Sequence, residues 1–259
     1  MLQVCLNGSR GPGDTAAVPM SPESLAASAA SAVTAGAREI RVHPRTPCGR
    51  TSLSPRVLAP VLTSLGAALG AAGAGAGVPA GAPVRITTAM SAEPDTERRV
   101  ERVRSWAALP GLVSVDWHEP GAEEVASALL SRGIAVEAAL WSGTDGPARF
   151  ARSPLAPRVA RVLARAHTPA ARAGPPAGPV AAAEAVALAL LSDIARPAGV
   201  PLLLHGVDGG AWPVLRLARR LGLARRIGLE DTLLLPDGTR ARSNAELVAA
   251  AVAGPGVVQ

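Results

Sequence analysis

A (β/α)8 barrel in a single domain spanning residues 1–259 is the fold this sequence predicts. Short apolar, β-rich runs alternate with helix-like stretches close to eight times, and such alternation predicts a parallel sheet. About 250 residues is the length that eight strand–helix units need. Polar residues also recur where the strands should end, at Asn7, His43, Thr88, His118, Glu119, His205 and Glu230, and barrel active sites lie at that rim. An open doubly wound sheet is the alternative architecture.

The elements follow in order. LQVCLNG (2–8) is the first apolar run, closed by Asn-Gly. SPESLAASAASAVTAG (21–36) is a helix, with Ser21 before Pro22 at the first helical position and Glu23 placed to favour the dipole. EIRVHPR (39–45) is the second strand, followed by a helix over 54–69 and a Gly/Ala-rich stretch over 70–83. That stretch lacks the GK[ST] ending of a phosphate loop. VRITTAM (84–90), a helix near 94–107, LVSVDWHE (112–119), a helix near 121–132 and IAVEAALW (134–141) continue the alternation. Within 142–180, VARVLAR (159–165) reads as a strand and HTPAARAGPPAGP (167–179) as a loop. A helix over 181–195, the strand VPLLLHG (200–206), a helix over 210–222, the run RIGLED (226–231) and a last helix over 243–252 complete the chain.

Composition bounds the function. The chain is 48% hydrophobic and only 2% aromatic, so its core must be Ala, Val and Leu. Net charge is +6, and all 26 basic residues are Arg. These arginines are mixed with Glu or spread along helices rather than gathered in a stripe with stacking aromatics, which speaks against nucleic acid. No long uncharged apolar run suggests a membrane span, and the first ten residues do not have the pattern of a signal peptide. Cys5 and Cys48 are too few for a disulfide framework, so the expected location is cytoplasmic.

Alternation along a strand places Arg41, His43 and Arg45 on one face of the second strand, and Arg226 and Glu230 on one face of the eighth. Asp231 falls where that last strand gives way to a loop. Buried charges of this kind require pairing or a ligand. Imidazole and carboxylate suit a divalent metal, with His118 or His205 available to complete it; equally, Glu230 pairs with Arg41 or Arg226. Thr87 and Thr88 are substrate contacts or ordinary β-branched strand residues. Glu137, alone in an apolar run, requires a partner or a function.

Taken together, the segments LNGSR (6–10), VPMSPESLA (18–26), AGAREIRVHPR (35–45), GRTSL (49–53), SVDWHEPGA (114–122), VEAALWS (136–142), LLLHG (202–206), RIGLEDT (226–232) and LPDGTRARSNAELV (235–248) resemble the beta-keto acid cleavage enzymes. The resemblance implies a (β/α)8 barrel acyltransferase that condenses a beta-keto acid with acetyl-CoA, giving acetoacetate and an acyl-CoA by retro-Claisen cleavage. It implies Zn2+ held by His43 and Glu230, Asp231 as general base with Arg226 orienting it, and substrate contacts from Arg41, Thr87, Thr88, Glu137, His205 and Asn7. It further implies small-molecule partners only, in a homo-oligomer. One position departs from the pattern: Arg41 stands where an HxH motif has its first His, and arginine has no lone pair for a metal. Either zinc binds more weakly, or Arg41 takes over a substrate carboxylate without metal, or an Arg41–Glu230 pair leaves a non-catalytic member that binds an acidic metabolite or CoA ester.

Overall fold

The structure, a computed structural model, describes residues 1–75, 85–89, 92–167 and 179–254, and the side chains of all of these except 71–75 and 85–89. Among the described residues there are eight strands: β1 (Leu2–Cys5), β2 (Glu39–Val42), β3 (Arg85–Ala89), β4 (Leu112–Asp116), β5 (Ala135–Trp141), β6 (Arg161–Ala166), β7 (Leu202–Gly206) and β8 (Ala224–Ile227). They pair in parallel and in sequence order, and β8 returns to β1 to close a barrel. The helices α1 (Pro22–Thr34), α2 (Pro55–Gly75), α3 (Thr96–Ser105), α4 (Ala122–Ser131), α5 (Gly146–Arg152), α6 (Pro179–Asp193), α7 (Ala211–Arg220) and α8 (Asn244–Ala253) each follow one strand. Among the described residues, no helix is long and apolar enough to cross a membrane.

Local chemistry accounts for the boundaries. Ser21 caps α1, its side chain accepting from the Ser24 amide while Pro22 occupies the first turn. Asp95 and Ser243 cap α3 and α8 in the same way. In β1, β2 and β4 every residue is buried, as strands covered on both faces require. Leu2, Val4, Leu6, Ile40 and Val42 pack outward on Leu25, Ala29 and Val33 of α1 and on Leu247 and Val248 of α8. The alternate residues Gln3, Cys5, Glu39 and Arg41 are buried on the opposite, interior face.

The interior is layered. Along β5, β6 and β7, Glu137 pairs in register with Arg161, Ala139 with Leu163, Leu163 with Leu203, Trp141 with Arg165, and Arg165 with His205. The lowest layer is an ion-paired plug. Arg161 donates from Nε to Glu137 at 2.6 Å and from its terminal nitrogens to both oxygens of Glu39 at 2.5 and 3.0 Å. The apolar layer of Ala139, Leu163 and Leu203 lies above it. Above that, at the C-terminal ends of the strands, come Trp141, Arg165 and His205.

Candidate active site

Alternation predicts a strand through Glu230, but β8 stops at Ile227. Gly228 explains the stop. Its backbone lies against β1 so closely that a Cβ there would sit 2.1 Å from the Cys5 oxygen and 2.7 Å from the Cys5 nitrogen. The chain then turns, with the amides of Asp231 and Thr232 donating to the Gly228 carbonyl at 2.8 and 3.0 Å. Glu230 and Asp231 therefore project from a turn, and they meet Arg226 by folding back on it rather than by sharing a strand face. A Gly228→Ala change is expected to push β8 away from β1, costing roughly 1–3 kcal/mol. Thermal unfolding should show this as a Tm lower by about 5 °C, with activity lost in parallel.

Arg226 is the hub of the cluster. Its Nε donates to both Asp231 oxygens at 3.2 Å, and Nη2 donates to Asp231 Oδ1 at 2.6 Å and to Glu230 Oε1 at 3.2 Å. Both Arg226 and Asp231 are fully buried. Burial pushes the Asp231 carboxyl up, but Arg226 and then His205 outweigh it and hold the group below its ordinary value. Burial likewise pushes Glu230 up, and Arg226, His43 and Arg41 together hold it well below the carboxylate range. Burial destabilises Arg226 as a cation, but Asp231, Cys5 and Glu230 together outweigh burial and hold it well above its ordinary value. Asp231 is thus a buried, ionised carboxylate oriented by one guanidinium, the protonation state from which a general base starts.

His205 lies beside this pair, with Nδ1 3.4 Å from Asp231 Oδ1 and Nε2 buried without a partner. Burial, then the Arg226 charge, lower its pKa to about 4 from 6.5, so the ring is neutral at neutral pH. Between those two values the unfolded chain binds a proton that the folded chain refuses. Stability therefore falls as pH drops through this window, by up to about 3 kcal/mol from this residue. Urea midpoints measured at pH 7 and pH 4 should show a smaller acid loss in His205→Gln than in the wild type.

Asn7 and His43 are locked together at the ends of β1 and β2. Asn7 donates to the His43 carbonyl at 2.9 Å and to the Pro19 carbonyl at 3.3 Å, and it accepts from the His43 amide at 2.9 Å and the Gly8 amide at 3.0 Å. Both ends of the Asn7 side-chain amide are engaged with backbone, and this clamps the backbone of His43. Gly8, at φ +57°, leaves the space that the Glu230 side chain occupies.

His43 Nε2 then faces Glu230 Oε2 at 3.4 Å, and neither atom has a hydrogen-bond partner. Those two atoms match two members of the implied zinc set. The third position belongs to Arg41, which is buried and brings positive charge. Among the described residues no three of His, Cys, Asp and Glu gather around one point; neither His118 nor His205 joins His43 and Glu230. The residues present do not fit a zinc site of two histidines and a glutamate.

Arg165 is a site residue that the sequence reading missed. It feels the charges of Arg226, Glu230, Asp231 and Arg41, and its guanidinium lies 4.0 Å from the centre of the Trp141 ring. Trp141 in turn donates to Asp116 Oδ1 at 2.9 Å and lies against His118 with ring centroids 4.8 Å apart and planes tilted by 54°. Alternation within VARVLAR was the available signal, because it sets Arg161, Leu163 and Arg165 on one face.

Glu137 is not brought to this cluster. It is held by Arg161 in the plug, four residues or about 13 Å along β5 below Trp141. Thr87 pairs in register with Arg41, and Thr88 with Val42, but their side chains lie outside the described residues. So does most of the loop read over 167–179.

Comparison with known proteins gives the family and supports the fold. A family model described as beta-keto acid cleavage enzyme matches residues 1–254. Among solved structures, a ternary complex of ObcA with a C4-CoA adduct and oxalate superposes with a TM-score of 0.64 at 14% identity, covering 90% of this chain and 62% of the other. A binary complex of ObcA with oxaloacetate gives 0.62 at the same identity and coverage. An octameric ribulose-1,5-bisphosphate carboxylase/oxygenase from Pyrococcus horikoshii OT3 gives 0.51 at 17% identity, covering 97% of this chain and 59% of the other. The chain thus spans less than two thirds of the length of these structures, and identities this low speak for the fold alone. No curated protein matches.

Proposed function

The chain belongs to the beta-keto acid cleavage enzyme family, and from that premise we propose that it is an acyltransferase acting on a beta-keto acid and acetyl-CoA. The (β/α)8 barrel is one domain in this reading, with the site at the C-terminal mouth. The carrying observation is the buried Arg226–Asp231 pair at that mouth, with Asp231 held ionised. The atom balance assigns the steps. Asp231 takes a proton from C2 of the keto acid, and the carbanion forms a carbon–carbon bond to the acetyl carbonyl, releasing CoA thiolate. The thiolate then attacks the original ketone carbon, the old C2–C3 bond breaks with its electron pair left on C2, that carbon takes back the proton held by Asp231, and acetoacetate and the new acyl-CoA leave. Arg226 fixes the carboxylate during proton transfer and balances the negative charge that develops beside it. Neutral His205 packs against Asp231 without competing as a cation.

No step is routed through zinc. Arg41 supplies fixed positive charge where a metal ligand is implied. Protein purified without chelator is therefore expected to carry far less than one equivalent of zinc by elemental analysis, and Arg41→His, which restores a third donor, is expected to raise that content. Stoichiometric zinc in the wild type would refute the metal-free reading.

The reaction itself is tested by incubating the protein with acetyl-CoA and a panel of beta-keto acids. Acetoacetate should form from at least one; none from any, with folded protein, would refute it. The second reading, a non-catalytic member binding an acidic metabolite or CoA ester in a homo-oligomer, rests on Arg41 beside Glu230. Acetoacetate formation removes it.

A further inference from the structure

We propose that Arg10 and Asp208 form a latch that positions Asp231 for proton transfer by holding the backbone of the turn that carries it. The proposal rests on the reading of Asp231 as the base. It adds two positioning residues, from loops that supply nothing to the proposed chemistry.

The turn after β8 is held through its amides and, separately, through its carbonyls. The Glu230 amide donates to the Cys5 carbonyl at 3.3 Å, and the Asp231 amide to the Gly228 carbonyl at 2.8 Å. The carbonyls of the same two residues are taken by other loops. Arg10, in the loop after β1, donates from Nε to the Glu230 carbonyl at 3.3 Å. Asp208, in the loop after β7, donates its amide to the Asp231 carbonyl at 2.6 Å. Arg10 Nη2 then donates to Asp208 Oδ1 at 2.5 Å. Two peptide carbonyls and one ion pair thus make a closed ring around the residues that carry the carboxylates.

Backbone conformation marks Asp208 as a special position. Its φ is +49°, and among the described residues it is the one non-glycine with positive φ. Asp enters this region more easily than most side chains, but still at a cost. Such conformations persist where surrounding contacts impose them, and they cluster at functional sites. Here the imposing contacts are the Asp231 carbonyl on the amide and Arg10 on the carboxylate. Arg10 is anchored in turn. Arg45 donates to its carbonyl at 3.0 Å, to the Gly8 carbonyl, and to the Gly49 carbonyl at 2.7 Å. Arg240 donates to the Asp14 carbonyl at 2.6 Å. The loop after β1 is therefore a fixed frame from which one guanidinium reaches the catalytic turn.

The Asp208 side chain is 69% exposed, and an ion pair this open adds little to the stability of the whole protein. Its leverage is on geometry, because a misplacement of about 1 Å at a reacting group is enough to cost about 100-fold in rate. The latch should therefore show in turnover rather than in unfolding.

Asp208→Gly removes the carboxylate, keeps the amide and takes the positive φ without strain, so it opens the ion pair alone. It is expected to lower kcat for acetoacetate formation about 10-fold, with KM for the keto acid within about twofold and Tm within about 2 °C of the wild type. Asp208→Asn keeps an oxygen for Arg10 and tolerates the same backbone, and should bring kcat back to within about threefold. Arg10→Met should slow turnover at least as much as Asp208→Gly. The double variant should be no slower than Arg10→Met, because both changes break one latch. Unchanged kcat in both single variants, losses that multiply in the double variant, or lowered Tm with kcat intact would overturn the proposal. Hydrogen exchange gives a readout that needs no turnover. In Arg10→Met the Asp231 amide should exchange about fivefold faster, the most that an exposed ion pair supplies, with the strand amides unchanged. Faster exchange with no acetoacetate from the wild type keeps the hold on the turn and sinks the reaction. Acetoacetate formation with exchange and kcat unmoved in both single variants keeps the reaction and sinks the latch.

Discussion

Asp231→Asn is expected to lower acetoacetate formation by about 10³-fold, within the range for loss of a positioned general base. The effect should fall on kcat with little change in KM, because Asp231 abstracts a proton and does not anchor the acid. Asparagine keeps the shape of the side chain and loses its charge. Arg226 then retains only Glu230 as an anionic partner, at 3.2 Å, and its buried charge loses most of its compensation. Unfolding in urea should show a cost of about 2 kcal/mol beside the kinetic loss. Glu230 does not substitute as base: one of its oxygens faces Arg226 and the other faces His43. Activity within tenfold of the wild type would remove Asp231 from the chemistry.

The second large effect is on stability. Arg161→Met is expected to cost at least about 4 kcal/mol, because it strips the cation shared by the buried carboxylates of Glu39 and Glu137. Burial alone raises Glu137, and Arg161, then Arg41, bring it below its ordinary value. Without Arg161 that balance tips toward a neutral, protonated carboxyl in a space shaped for a salt bridge. The informative partner is the triple variant Glu39→Leu, Glu137→Leu, Arg161→Met. Apolar replacement of a whole buried ion cluster is often neutral or stabilising, so this variant should recover most of the lost stability and still make acetoacetate. Loss of activity in a stable triple variant would return Glu137 to the substrate site.

The fate of Glu137 shows what the sequence can and cannot disclose. Elements were legible because their signals are local: Ser21 and Pro22 start α1, and apolar runs of four to seven residues mark strands buried on both faces. The cluster on RIGLED was legible for the same reason, since Arg226, Glu230 and Asp231 lie within six residues. What failed was anything set by register between distant strands. Glu137 is isolated in its own run, and its partner Arg161 lies 24 positions away. Arg165 enters the site only because β6 pairs with β5 and β7 in the register observed. The early end of β8 depends on Cys5, more than 200 residues earlier, pressing on Gly228. The resemblance implies a substrate contact at Asn7; register adds that its side-chain amide is engaged by the backbones of Gly8, Pro19 and His43.

Asn244, at the start of α8, accepts from the Leu229 amide at 2.8 Å and donates to the Leu6 carbonyl at 2.9 Å and to Ser28 at 3.1 Å. One buried side chain thus rivets the first strand's exit, the first helix and the turn that carries Glu230 and Asp231. The two carboxylates cannot be freed without loosening the seam where the barrel closes. Catalytic geometry and ring closure therefore belong to one cooperative unit, and the Leu229 amide proton is the natural reporter of its opening in hydrogen exchange.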